Sequence, residues 1–164
     1  MKLPEVEDMT LSPETIAPTA ITWCDDMLLG YTPMDHVHEE FVHCVAAVQA
    51  ASDDRLLQAV QRLQEHLKRH FDDENHWMTE HNFPAKECHI NEHAAVQATV
   101  SDVLAQMQQG NATNARPLAN ELAAWFPGHA TYLDSALAHW MCKLRLGGKP
   151  VVLRRSLGNS DTQP

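Results

Sequence analysis

No stretch of this sequence is apolar for long enough to span a membrane as a helix. Convincing strand alternation is missing as well, and "PVVL" at 150–153 is the one short candidate. Basic residues are scarce: 12 Lys and Arg stand against 22 Asp and Glu, for a net charge of −10 with histidine neutral. A phosphate backbone needs a basic face, so a nucleic-acid role is not expected. The four cysteines, Cys24, Cys44, Cys88 and Cys142, form no C-x-x-C pair. They are expected to be reduced and mostly packed thiols rather than a disulfide frame. No basic stretch followed by an apolar core opens the chain, so the cytoplasm is the expected location. What the sequence has in plenty is histidine, 11 among 164 residues. At that length, with 44% apolar residues, a single domain with a real core is expected.

The periodicity predicts four long helices. Residues 1–20 are rich in Pro, Thr and acids and read as an extended N-terminal arm. The first helix is expected over 33–51, with Thr32 as its N-cap, Pro33 in the first position and Asp35 near the free amides of the first turn. "SDD" at 52–54 starts the second, whose Leu56, Leu57, Val60, Leu63, Leu67, Phe71 and Met78 keep a helical period. After "NFP" at 82–84, a third covers about 85–109 with Val96, Val100, Val103, Leu104 and Met107 as its apolar stripe. The fourth starts near Pro117 or slightly earlier and runs to Leu146, where "GG" stops it. Short connections make consecutive helices antiparallel. The expected fold is therefore all-α, an up-down-up-down antiparallel four-helix bundle over 21–146, with a flexible C-terminal tail at 147–164.

A helix rises about 1.5 Å per residue, so depth in the bundle can be counted from each loop. Counted from loops near 52, 82 and 111, His38, His70, Glu74, His89, His93 and His129 fall within about one turn of a common level, and Asp134 lies close to His89. The pair His89-x-x-x-His93 alone is more often a surface pair than a ligand pair. Five imidazoles and two carboxylates in one layer are different, because each unpaired buried polar group costs roughly 1–3 kcal/mol. A metal supplies the shared partner. Five nitrogens exceed what one structural zinc takes, and the mixture of imidazole and carboxylate suits a pair of ions, iron above all, with manganese or zinc open on softness alone. His129 and Asp134 are five residues apart, about 140° on an ideal helix, so loosening at Pro127-Gly128 is expected to bring them together.

These residues resemble the hemerythrin family, and among its members the single-domain bacteriohemerythrins. The resemblance rests on "WCDD" at 23–26 with Gly30, "MDHVH" at 34–38, "HFDDE" at 70–74, "HINEH" at 89–93, and "WFPGH" at 125–129 followed by Asp134. It covers about residues 21–143. It implies two iron ions (Fe2+/Fe3+), one held by His38 and His70, the other by His89, His93 and His129. Glu74 and Asp134 would bridge them, with an oxo or hydroxo group as third bridge. It further implies that dioxygen binds reversibly at the open position of the two-histidine iron, each ferrous ion giving one electron. Phe41, Phe71, Trp125, Phe126 and Ala130 would wall that O2 pocket. Ala130 departs from the larger aliphatic frequent there, which bears on pocket size and on resistance to autoxidation.

The other polar residues take plainer readings. His36, His43, His66, His76, His81 and His139 are expected at the surface or boundary, with His66, one turn before His70, the nearest to a supporting role. Cys88 is expected to pack rather than ligate, and Glu92 to face water. Glu40-x-x-His43 mimics a ferritin-like motif but lacks a second copy. Trp23, Asp25 and Asp26 should fold the arm back over the bundle. The tail carries Lys143, Arg145, Lys149, Arg154 and Arg155 against Asp161, a solvated end that could dock on a membrane surface or acidic partner. The leading functional expectation is a monomeric, non-enzymatic O2-binding protein for storage or delivery to an O2-consuming enzyme. The alternatives are a di-iron reductase of nitric oxide or peroxide, and an O2 or redox sensor.

Overall fold

The computed structural model describes residues 20–152, so all of the expected arm but its last residue, and positions 153–164 of the tail, lie outside the described residues. Four helical rods form a bundle: α1 (Thr32–Ala50), α2 (Asp53–Glu80), α3 (Lys86–Gln108) and a fourth built in three pieces. Those pieces are α4 (Ala115–His129), a π-helical turn (Ala130–Asp134) and α5 (Ser135–Leu146). Helix α1 packs beside α2 and α4, and α3 closes the ring against the same two. Among the described residues there is no strand, and none of the helices is long and apolar enough to cross a membrane.

The helix starts differ in detail from the expected ones. Tyr31, extended and buried, caps α1 in place of Thr32, which is already helical and points to solvent. Asp35 acts on the chain before the helix: its carboxylate accepts the backbone N–H of Leu29 at 2.6 Å and of Gly30 at 3.0 Å. Gly30 has φ +81°, and a Cβ there would lie 3.0 Å from Pro150 Cβ. Only glycine allows both that backbone and the close passage of the returning tail. The segment before it is also fastened. Ile21 N–H donates to Gln49, Gln49 donates to Asn120, and half-buried Trp23 packs on the core, so this part of the chain does fold back over α1 and α4. At the other end, Arg116 donates to Ala51 O and Asp53, tying the α1–α2 turn to α4.

The apolar stripes pack as their period requires, except that Leu57 stands 37% exposed at the edge of its stripe. The core, however, is in two parts. A larger cluster runs from Phe41, Phe71 and Phe126 toward Val48, Leu56 and Met107, and a smaller one gathers Tyr31, Met34, Met78, Phe83, Leu137 and Met141. Along α1, His38 falls between Met34 of one cluster and Phe41 of the other. Along α2, Glu74 falls between Phe71 and Met78, and in the fourth rod Asp134 falls between Ala130 and Leu137. A polar layer therefore divides the bundle interior.

Candidate metal centre

The seven side chains brought to one depth by helical counting do meet in that layer, and all are buried. Their donor atoms form two groups. Glu74, His89, His93, His129 and Asp134 converge in one, and His38, His70 and Glu74 in the other, each set lying within 4.8 Å. Glu74 belongs to both: its carboxylate is 3.0 Å from His70 Nε2 and 3.6 Å from His38 Nε2 on one side, and 3.3 Å from His93 Nε2 and 3.6 Å from His89 Nε2 on the other. Asp134 spans the same divide, 3.2 Å from His38, 3.0 Å from His89 and 3.2 Å from His129.

The placement of Asp134 depends on backbone that periodicity does not reveal. The α-helix runs on through Pro127 to His129, although Pro127 has no N–H for the carbonyl of Ala123, so the proline is not where it opens. It widens just after: Ser135 N–H donates to Ala130 O, five residues back, where an α-helix bonds four back. The extra residue in that turn lets His129 and Asp134, five apart, face the same layer.

The electrostatics fit a cationic guest. Burial disfavours charge on His38, but Asp134 and Glu74 outweigh it and raise its pKa to about 9. Burial would likewise raise the carboxylates. The surrounding imidazoles reverse this and hold both Glu74 and Asp134 below the usual carboxylate range. His129 is raised because Asp134 and Glu92 overcome its burial, whereas burial keeps His93 lowered. The nitrogens make the case for metal. His129 Nε2 is 3.2 Å from both His89 Nε2 and His93 Nε2. His129 Nδ1–H donates to Glu92 at 3.0 Å, which turns the lone pair on its Nε2 inward. His93 Nδ1 meets Asn75 Oδ1 at 2.9 Å with the same consequence. Inward lone pairs repel unless a proton or cation sits among them. Nitrogens sharing one ion at about 2.1 Å and at right angles lie about 3 Å apart, so the spacing suits a metal.

Comparison with known proteins agrees. A family model described as the hemerythrin HHE cation binding domain matches residues 29–140. The chain is 32% identical over 123 residues to the bacteriohemerythrin of Ralstonia nicotianae, covering 75% of this chain and 90% of that protein. This chain belongs to the hemerythrin family. No solved structure matches it significantly.

The surroundings of this hemerythrin layer correct several expectations. Glu92 does not simply face water: although its side chain is 39% exposed, it accepts both His129 Nδ1–H and, at 2.8 Å, Trp125 Nε1–H. His66 is not at the surface either. It is 3% exposed, its ring centroid lies 5.5 Å from that of His70, and burial lowers its pKa to about 3. Glu40 lies between His36 and His66, turned away from the layer, which disposes of the ferritin-like motif. Cys142 is buried and Cys44 half-buried, but Cys24 and Cys88 are exposed, so Cys88 neither packs nor ligates. The expected pocket wall divides. Phe126 stands edge-on to His38 at 5.2 Å and Phe41 lies 6.4 Å from His70. Phe71 touches both groups, tilted to His70 at 5.2 Å and stacked on His93 at 3.9 Å, while Trp125 lies 4.3 Å from His129. Asn75 and Glu92 carried no sequence signal of their own; only Trp125 and His129, four apart on one helix face, hinted at a shared partner.

Proposed function

We propose that this hemerythrin binds dioxygen reversibly at a di-iron centre, for storage or delivery. In this reading His38 and His70 hold one ion, His89, His93 and His129 the other, and Glu74 and Asp134 bridge. The observation that carries it is the position of Glu74, whose carboxylate oxygens are shared between the two donor groups. The name of the Ralstonia relative points the same way. The iron pair, when bound, would supply electrons to O2 on binding and recover them on release.

The chain's own residues account for the asymmetry such binding needs. The His38–His70 group offers one imidazole fewer than the other, leaving room for a small ligand there. Phe41 and Phe126, both buried and 4.8 Å apart, cover that side, and Ala130 belongs to the same apolar cluster. Apolar cover keeps water and protons from the bound ligand, which favours release of O2 over irreversible oxidation.

The test is anaerobic reconstitution of the whole chain with ferrous iron, metal counting, and spectra through cycles of O2 addition and removal. Two irons per chain and a spectral change that reverses on deoxygenation are expected. Sustained turnover of O2, nitric oxide or peroxide with a reductant, with no O2 returned, would replace this reading with the reductase.

A further inference from the structure

The two donor groups differ in how firmly the protein holds their imidazoles. In the three-histidine group, His129 Nδ1 is fixed by Glu92, itself held by the Trp125 indole, and His93 Nδ1 is fixed by Asn75. The same two rings are backed by aromatics. Phe71 lies flat on His93 at 3.9 Å with 6° between planes, and Trp125 covers His129 at 4.3 Å. His89 makes no outward hydrogen bond among the described residues but is wholly buried. In the two-histidine group neither ring is fixed from behind: His38 Nδ1 and His70 Nδ1 are buried without a hydrogen-bond partner among the described residues. Their aromatic contacts are wider and none is stacked: His38 meets Phe126 edge-on at 5.2 Å, and His70 meets Phe71 tilted at 5.2 Å and Phe41 edge-on at 6.4 Å.

An imidazole whose outer nitrogen is hydrogen-bonded has its tautomer and orientation set before the metal arrives, and its donor strength is increased, most of all by a carboxylate. We propose that Glu92 and Asn75 are positioning residues that make the three-histidine position the first to take a metal ion and the last to lose it. The asymmetry gives this chain a stable one-metal state, with exchange occurring at the His38–His70 position. Trp125 contributes by holding the Glu92 carboxylate, which would otherwise be drawn to solvent from its half-exposed site. The inference rests on the two-ion reading above.

Anaerobic titration of the metal-free chain with Co2+, followed by calorimetry and by the cobalt d–d spectrum, tests it without reference to oxygen binding. The wild type should take up two Co2+ in two resolved phases at least about 10-fold apart in affinity, the scale on which hydrogen bonds behind ligands act. His38→Ala should abolish the weaker phase and spare the tighter one. Glu92→Ala should weaken the tighter phase by about 10–100-fold and shift its d–d bands while leaving the weaker phase in place. Glu92→Gln, which keeps an oxygen to accept His129 Nδ1–H, should recover most of that loss, and Asn75→Ala should behave like a milder Glu92→Ala. Circular dichroism melting of each metal-free variant separates these effects from a folding defect, and the Gln variant remains informative if the Ala variant unfolds. Two Co2+ bound with equal affinity, or a Glu92→Ala change confined to the weaker phase, overturns the inference alone. A wild type that binds no Co2+ overturns the two-ion reading beneath it.

Discussion

His129 Nε2 lies 3.2 Å from Asp134 Oδ1 although the two residues are five apart in one helical rod. An α-helix would separate them by about 140° around its axis. The π-helical turn Ala130–Asp134 closes that gap, and the carboxylate it delivers also reaches His38 and His89 from the neighbouring helices. Helix irregularities of this type recur at functional sites because they re-aim one side chain without disturbing the packing beyond.

Glu74→Ala should remove most bound iron, whereas Glu87→Ala, on an exposed residue of α3 outside the layer, should leave the count unchanged. Because metal binding free energy is also folding free energy, the melting temperature of the reconstituted Glu74 variant should fall as well. Iron analysis and thermal melts check this. Equal iron and equal stability in the two variants would remove Glu74 from the bridging role.

His66 should make the bundle acid-sensitive. Its folded pKa is lowered to about 3 because burial disfavours the imidazolium, while the unfolded residue titrates near 6.5. Below about 6.5 the unfolded state therefore binds more protons at this site, and stability falls as pH drops toward 3. His66→Leu should flatten the fall in urea midpoint between about pH 6.5 and 5 relative to wild type. Parallel pH profiles of the metal-free proteins would show that His66 is not the group responsible.

Ala130→Ile tests the wall of the proposed pocket. The larger side chain should thicken the apolar cluster that Ala130 shares with Phe41 and Phe126, slow autoxidation and leave the iron count alone. Ala130 is already 5% exposed within the main core cluster, so overpacking should cost roughly 1–3 kcal/mol. Absorbance decay of the oxygenated protein, alongside urea unfolding, measures both. Unchanged autoxidation at an unchanged iron count would place Ala130 outside the wall.

Asp35→Ala should destabilise the chain without touching the metal layer. It deprives Leu29 N–H and Gly30 N–H of a charged acceptor, worth roughly 1.5–3 kcal/mol. A lower urea midpoint with full iron loading is expected. Loss of iron in proportion to stability would mean that the Asp35 loop also shapes the site.

The order and spacing of residues determined the four helices, because a 3.6-residue apolar period needs no partner to be read. The same counting brought His38, His70, Glu74, His89, His93 and His129 to one depth, since rise per residue is fixed by the helix itself. What the tertiary structure decided was rotation and contact. Whether Asp134 faces the layer depends on one widened turn, and the sequence pointed instead to Pro127, through which the α-helix runs on. Glu92 reads as a surface residue along α3, and only the approach of α4 supplies the Trp125 and His129 donors that bind it. His66 lies one turn before His70, which marks it as a neighbour of the layer, but only the closed bundle shows it packed inward against Phe41 and His70. Periodicity records which face of a helix is apolar. A polar side chain at the boundary takes its partner from another helix, at a distance set only when the bundle closes.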